Sequence, residues 1–283
     1  MRLRGILRFR VFSQILGVIL PNAYLRGFFN KPHLYSGKAK AVVLPILNCY
    51  ACPSALTSCP AGALQHFSVI KTIPFYIFGV ITIFGAAVGR LFCGWFCPFG
   101  FLQDLLYKIK TPKVKLPSKY TFTKYIFLVL GVLLLPMIIS DTVFCKICPQ
   151  GALEAGIPQM LLNPELRPLA HTLYWTKIAI LVFFITAFIF TKRPFCRYVC
   201  PVGALLSLFN SVSILRLTVD HHKCTLCGYC KLVCPVDIEV FRNPNSTDCI
   251  RCGLCTTCPE NAVKFTTVFA PVESPKPALS DKI

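Results

Sequence analysis

The chain has 283 residues, 55% of them hydrophobic and only 14% charged, and its mean hydropathy of +0.63 places it with membrane proteins rather than soluble globular domains. Its formal net charge of +19 lies wholly before residue 220: residues 1–219 carry 23 Lys/Arg against 4 Asp/Glu, and residues 220–283 carry 7 of each. These bases flank apolar stretches, where they anchor and orient helices, so the positive charge argues for a lipid bilayer as partner and against nucleic acid.

Arg2, Arg4, Arg8 and Arg10 precede an apolar stretch in the manner of a signal peptide, but no small-residue cleavage site follows Leu20. The sequence therefore predicts an uncleaved first membrane helix over about 11–29, interrupted by Pro21, Asn22 and Arg26. A bilayer core of about 30 Å takes about 20 apolar residues, and further segments of that kind lie at about 70–90, 122–140 and 172–191. Lys108, Lys110, Lys113, Lys115 and Lys119 follow the second span, Lys124 opens the third, and Lys192, Arg193 and Arg197 follow the fourth. If all four segments cross, both clusters share the side of the N-terminus, which the positive-inside rule makes cytoplasmic. The opposing loops carry Lys31, Lys38 and Lys40 in one and Lys146 and Arg167 in the other, with Lys71 and Lys177 near helix starts. The expected architecture is an α-helical membrane domain over 1–215, an α+β dicluster ferredoxin-like domain over 216–270 and a flexible tail over 271–283. It would be a multi-pass protein of the cytoplasmic membrane with both termini inside.

Seventeen cysteines punctuate this frame. Four copies of Cys-Pro-x-Gly followed by an apolar pair begin at Cys59, Cys97, Cys148 and Cys200, each with another Cys upstream. On the predicted topology Cys49, Cys52, Cys59, Cys145 and Cys148 fall outside, whereas Cys93, Cys97, Cys196, Cys200 and the eight tail cysteines fall inside. Residues of about 49–110 and 145–210 thus read as two weak copies of one unit, the kind of duplication that builds a site between two facing halves.

The tail reads Cys224-x2-Cys227-x2-Cys230-x3-Cys234-Pro, then Cys249-x2-Cys252-x2-Cys255-x2-Cys258-Pro. Three close thiolates reach three corners of one cubane and the Pro-flanked fourth reaches the other cluster. That assigns Cys224, Cys227, Cys230 and Cys258 to one [4Fe–4S] cluster and Cys249, Cys252, Cys255 and Cys234 to a second, with Gly228 and Gly253 at tight wraps of the chain. The second run has two residues rather than three before its last Cys, which puts Cys258 to the test. Structural zinc is the competing reading, since it also favours four cysteines.

Inside, Cys93-x3-Cys97-Pro and Cys196-x3-Cys200-Pro each supply two thiolates, enough for one further cluster if the halves meet. Pro after Cys suits a helix start, where free N–H groups and the positive helix end favour an anionic cluster. Arg90 and Arg197 add positive charge nearby. A redox disulfide, a transient metal site or plain packing are the alternatives. Outside, five thiols compete for four places in a proposed outer cluster: Cys52, Cys59, Cys145 and Cys148 are preferred, with Cys49 close behind and disulfides as the alternative in an oxidising compartment. His66 and His171 lie at outer helix ends, where a quinol proton acceptor or haem ligand would sit, though such positions usually hold interfacial histidines. His221 and His222 precede the ferredoxin run, and Asp104 and Asp141 read as solvated. No residue shows the pattern of a catalytic nucleophile, and no phosphate-binding loop is present.

The segment Arg90-Leu91-Phe92-Cys93-Gly94-Trp95-Phe96-Cys97-Pro98, the segment Cys196 to Leu205 and the ferredoxin run together resemble the NapH/MauN family of membrane polyferredoxins over roughly residues 70–260, and similar Cys-x3-Cys-Pro pairs occur in the membrane halves of NosR and in the CcoG/FixG proteins. The resemblance implies cytoplasmic iron–sulfur clusters, iron held through these cysteines, and electron movement between a quinone pool and partner redox proteins. This sequence adds the outer cysteines, which favours transfer to an outer-face partner. A bilayer core of about 30 Å is too thick for one efficient electron hop, so cofactors must penetrate it or a quinone must bridge it. The CcoG resemblance supplies the alternative function, an assembly or maturation factor that reduces a metal or thiol for another enzyme.

Overall fold

The computed structural model describes residues 2–29 and 34–269; the predicted tail at 271–283 and Lys31 lie outside the described residues. The chain is mainly helical, with one small sheet near its C-terminal end.

Among the described residues two helices are long and apolar enough to cross a bilayer, Ser118–Ile139 and Thr172–Phe190, and they coincide with the predicted third and fourth spans. Both turn large apolar side chains outward, with Ile138 77% and Phe183 66% exposed. Helices apolar on every face suit a hydrocarbon surround. The second predicted span is shorter than expected: its helix covers Phe75–Val88, 14 residues, or about 21 Å at the α-helical rise. Pro74 precedes it, and Gly89 ends it with φ +57°.

The first predicted span departs most from expectation. Its helix is Arg2–Ile19, after which tight turns at Leu20–Asn22 and Leu25–Phe28 replace the helix expected through residue 29. Pro21 has no N–H to continue the ladder. Arg10, within this helix, is buried and paired with Asp104.

Two helical stretches are π-wound, Phe127–Leu134 and Ala152–Gly156, each two residues short of a proline, Pro136 and Pro158. A proline inside a helix removes a donor and crowds the carbonyl four residues back, so the turn ahead of it widens.

All four Cys-Pro-x-Gly copies adopt one local conformation. Cys59, Cys97, Cys148 and Cys200 are extended N-caps, and Pro60, Pro98, Pro149 and Pro201 open the helices that follow. The fixed φ of proline suits the first helical position, and its missing N–H costs nothing there.

Strands β1, Leu215–Val219, and β2, Val263–Thr267, pair antiparallel with Leu215 opposite Thr267 and Val219 opposite Val263. They bracket both ferredoxin-like cysteine runs. Gly228 and Gly253 take φ of +74° and +76°, at the positions where tight wraps are predicted. This lobe packs directly on the helical part. Trp95 Nε1 donates to the Arg251 carbonyl at 3.0 Å, and Asn210 Nδ2 donates to the carbonyls of Ser246 at 2.8 Å and Cys249 at 2.7 Å. Lys124 Nζ donates to Asp248 at 2.6 Å, and Arg90 Nη1 donates to the Thr247 carbonyl at 2.7 Å.

Gly94 lies in this seam so closely that a Cβ there would stand 2.4 Å from the Ile250 carbonyl oxygen. Gly94→Ala is expected to lower stability by about 1–3 kcal/mol through overpacking, read as a fall in the thermal midpoint of the detergent-solubilised chain. Gly5→Ala, with nothing within 4 Å of the added methyl, is expected to cause no fall.

Candidate metal centres

The ferredoxin-like lobe holds two cavities, and each is lined by four cysteines. Cys234, Cys249, Cys252 and Cys255 share one, and Cys224, Cys227, Cys230 and Cys258 share the other. These are the two predicted sets, including the exchange of the Pro-flanked fourth cysteine between runs. Cys258 reaches its cavity despite the shortened spacing, through the turn at Leu254–Thr257. Zinc draws four sulfurs to about 2.3 Å from one point, whereas these thiols surround a space. Among the described residues no three His, Cys, Asp or Glu side chains converge on a single ion. The donor set and the cavities fit an inorganic core wider than one ion. Burial, the largest cause, pushes the Cys249 thiol up to about 12 and Cys234 up to about 11, so thiolates here call for a compensating metal charge.

The four inner cysteines, Cys93, Cys97, Cys196 and Cys200, are all buried and come together from the two halves. Burial, then the neighbouring charges of Cys196 and Cys93, push Cys97 up to about 12. The same sulfurs attract donors: Gln103 Nε2 approaches Cys196 Sγ at 3.0 Å, and the Gly203 N–H approaches Cys200 Sγ at 3.3 Å. Around them two arginines cross between the halves. Arg193 Nη1 donates to the Cys93 carbonyl at 2.8 Å, and Arg90 Nη2 donates to the Cys196 carbonyl at 3.2 Å. Each glycine of the motif makes room for the other half's arginine: a Cβ on Gly100 would lie 3.1 Å from Arg193, and one on Gly203 2.8 Å from Arg90.

Arg193 and Gln103 border the inner cysteines, and the motif reading passed over them. The signal was present: Arg90 and Arg193 each stand three residues before the first Cys of their pair, and Gln103 stands six after Cys97. Arg197, expected near the site, is buried and instead directs Nη2 to the Ser118 hydroxyl at 3.4 Å. Asp104, read as solvated, is corrected here. Its side chain is 17% exposed and accepts from Arg193 at 2.6 and 2.7 Å and from Arg10 at 2.5 Å. Burial raises its pKa, but the charges of Arg193 and Arg10 outweigh this and hold it below the usual carboxylate value. Asp141 is part exposed and pairs with Lys146. His66, His171, His221 and His222 are exposed.

The outer cysteines also gather. Cys59 and Cys148 are buried, and Cys148 is close enough to Cys49, Cys59 and Cys145 for its charge to act on each of them. Cys52, one of the expected ligands, is buried with its sulfur 3.2 Å from the Ser54 hydroxyl.

Sequence comparison agrees with the chemistry of these sites. A family described as a 4Fe-4S binding domain matches residues 72–117, 123–159 and 173–217, and a second 4Fe-4S binding domain matches residues 217–238. The chain is 34% identical over 203 residues to an uncharacterized protein of Methanocaldococcus jannaschii, covering 67% of this chain and 77% of that one. It is 29% identical over 199 residues to the methylamine utilization ferredoxin-type protein MauN of Methylobacillus flagellatus, covering 68% and 62%. With the ferredoxin-type protein NapH of Haemophilus influenzae the identity is 28% over 211 residues, covering 67% of each. No solved structure matches the chain significantly.

Removing the carboxylate that Arg10 and Arg193 share leaves two buried guanidinium groups uncompensated. Asp104→Asn is expected to cost about 3–5 kcal/mol, measured as a lowered thermal midpoint under anaerobic conditions. Asp141→Asn, at an exposed pair, is expected to leave the midpoint unchanged.

Proposed function

The chain belongs to the NapH/MauN-type polyferredoxins, and on that premise we propose that it is a membrane electron-transfer subunit linking cytoplasmic redox proteins to a quinone pool or an outer-face partner. Its ferredoxin-type relatives and 4Fe-4S domains support an iron–sulfur electron-transfer role. In this reading Cys224, Cys227, Cys230 and Cys258 hold one [4Fe–4S] cluster, Cys249, Cys252, Cys255 and Cys234 a second, and Cys93, Cys97, Cys196 and Cys200 a third. When bound, each supplies a one-electron redox centre.

The observation that carries the reading is the direct packing of the inner site on the ferredoxin-like lobe. The Cβ position of Gly94, next to Cys93, lies 3.4 Å from Cys252 Cα, so a residue that borders one proposed ligand touches a ligand of the neighbouring set. The chain's own residues do the rest. Burial keeps water from the sulfurs, Arg90 and Arg193 set positive charge beside the thiolates, and Gln103 and the Gly203 N–H aim donors at sulfur. Hydrogen bonds to sulfur and local charge are the means by which a protein tunes such centres.

Membrane embedding rests on the two long apolar helices and on the lipid-like exposure of their side chains. The proposed orientation keeps the basic loops, the inner site and the ferredoxin-like lobe on the cytoplasmic side.

The test uses the full chain in liposomes that contain a lipid-soluble quinone, with a low-potential one-electron donor protein outside. The parent chain is expected to reduce the quinone, and Cys196→Ser is expected to slow this at least about tenfold while losing about four irons per chain. Quinone reduction at the parent rate by Cys196→Ser would overturn the reading.

A further inference from the structure

The outer cysteines, like the inner ones, meet across the two halves at the motif glycines, and that geometry chooses among them. At the inner site the glycine of each Cys-Pro-x-Gly faces the opposite half's arginine and its own half's first cysteine carbonyl: Gly100 against Arg193 and the Cys93 carbonyl, Gly203 against Arg90 and the Cys196 carbonyl. At the outer site a Cβ on Gly62 would lie 3.6 Å from Cys145 Sγ, and a Cβ on Gly151 would lie 3.6 Å from Cys49 Sγ. Cys49 therefore occupies, toward the second half, the place that Cys145 occupies toward the first.

A second relation is independent of the glycines. Six residues after each outer Cys-Pro cysteine stands a carboxamide or carboxylate: Gln65 follows Cys59, and Glu154 follows Cys148. Gln65 Oε1 accepts from the Cys145 backbone N–H at 3.4 Å, and Gln65 Nε2 lies 3.1 Å from Cys145 Sγ. Glu154 Oε2 accepts from the Cys49 backbone N–H at 2.7 Å. Each half again holds the first cysteine of the other by its amide, and again the partner of Cys145 is Cys49. Gln103, six after Cys97 and bonded to Cys196 Sγ, shows the inner form of the same contact.

Lys177 adds the charge that an anionic core requires. Its Nζ lies 3.3 Å from the Cβ position of Gly151, and its charge acts on Cys49, Cys145 and Cys148. Cys52 takes part in none of these contacts and bonds locally to Ser54 at 3.2 Å.

We propose that Cys49, Cys59, Cys145 and Cys148 form a fourth [4Fe–4S] site shared between the two halves, and that Cys52 is not a ligand. The donor set is four thiols from two segments, brought together across the halves by the approaches of Gly62 to Cys145 and of Gly151 to Cys49. The inference rests on the electron-transfer reading above, and it places a cluster site at the far end of the helices from the ferredoxin-like lobe.

Iron and acid-labile sulfide are measured on the full chain purified without oxygen, together with EPR of the reduced state. The parent and Cys52→Ser are each expected to hold about sixteen irons, and Cys49→Ser about twelve with the remaining signals intact. A loss of about four irons from Cys52→Ser would overturn the proposed ligand set, and that result stands even if Cys49→Ser fails to accumulate. A parent content of about twelve, unchanged by Cys49→Ser, would overturn the fourth site and leave the electron-transfer reading in place. A parent content of about eight would overturn both the fourth site and the inner site.

Discussion

Everything near the cysteines depends on two buried guanidinium groups that cross from one half of the chain to the other. Arg90 and Arg193 are each 1% exposed, and each bonds the carbonyl of the other half's first inner cysteine. A buried charge is tolerated when it is paired with an opposite charge. The carboxylates that satisfy this demand come from elsewhere in the chain. Asp104 neutralises Arg193 and draws in Arg10 of the N-terminal helix; Asp248 lies 3.9 Å from Arg90, bonds Lys124, and directly precedes Cys249. Charge compensation around one site thus fixes the first helix, an apolar helix and the ferredoxin-like lobe against it.

The same arrangement explains a chain that is both apolar and strongly basic. The long helices present apolar side chains outward, while the buried polar residues collect at the helix ends around sulfur. Polar and ionisable groups at membrane depth persist where they face the interior of a bundle. A cluster bound by four thiolates is anionic, so arginine and lysine beside it serve both solvation and redox tuning. The outer site follows this scheme with Lys177 and Gln65 in place of the arginines and Gln103.

Much of this was legible in the residues. The tail spacing groups the same cysteines that line the two cavities, because exchange of the fourth cysteine between runs follows from how far a short loop can reach around a cubane. The long apolar runs located Ser118–Ile139 and Thr172–Phe190 to within a few residues, since hydrophobicity alone governs them. The Arg2–Ile19 helix was misplaced, because Arg10 pairs with Asp104 inside the fold rather than marking a boundary and because Pro21 ends it. Asp104 looked solvated because neither arginine that meets it is near in sequence. The proposed choice of Cys49 over Cys52 was hidden for the same reason: it rests on Glu154, 105 residues away.

The inner cysteines and the ferredoxin-like lobe are proposed to form one stack of interacting centres, and low-temperature EPR of the fully reduced chain tests this by comparing the parent with a variant in which Cys97 and Cys200 are both serine. The parent is expected to show extra splitting and broadening from magnetic interaction with the Cys234/Cys249/Cys252/Cys255 centre, and the variant to lose this interaction while the two lobe signals persist. Identical spectra from the two proteins would overturn the stack.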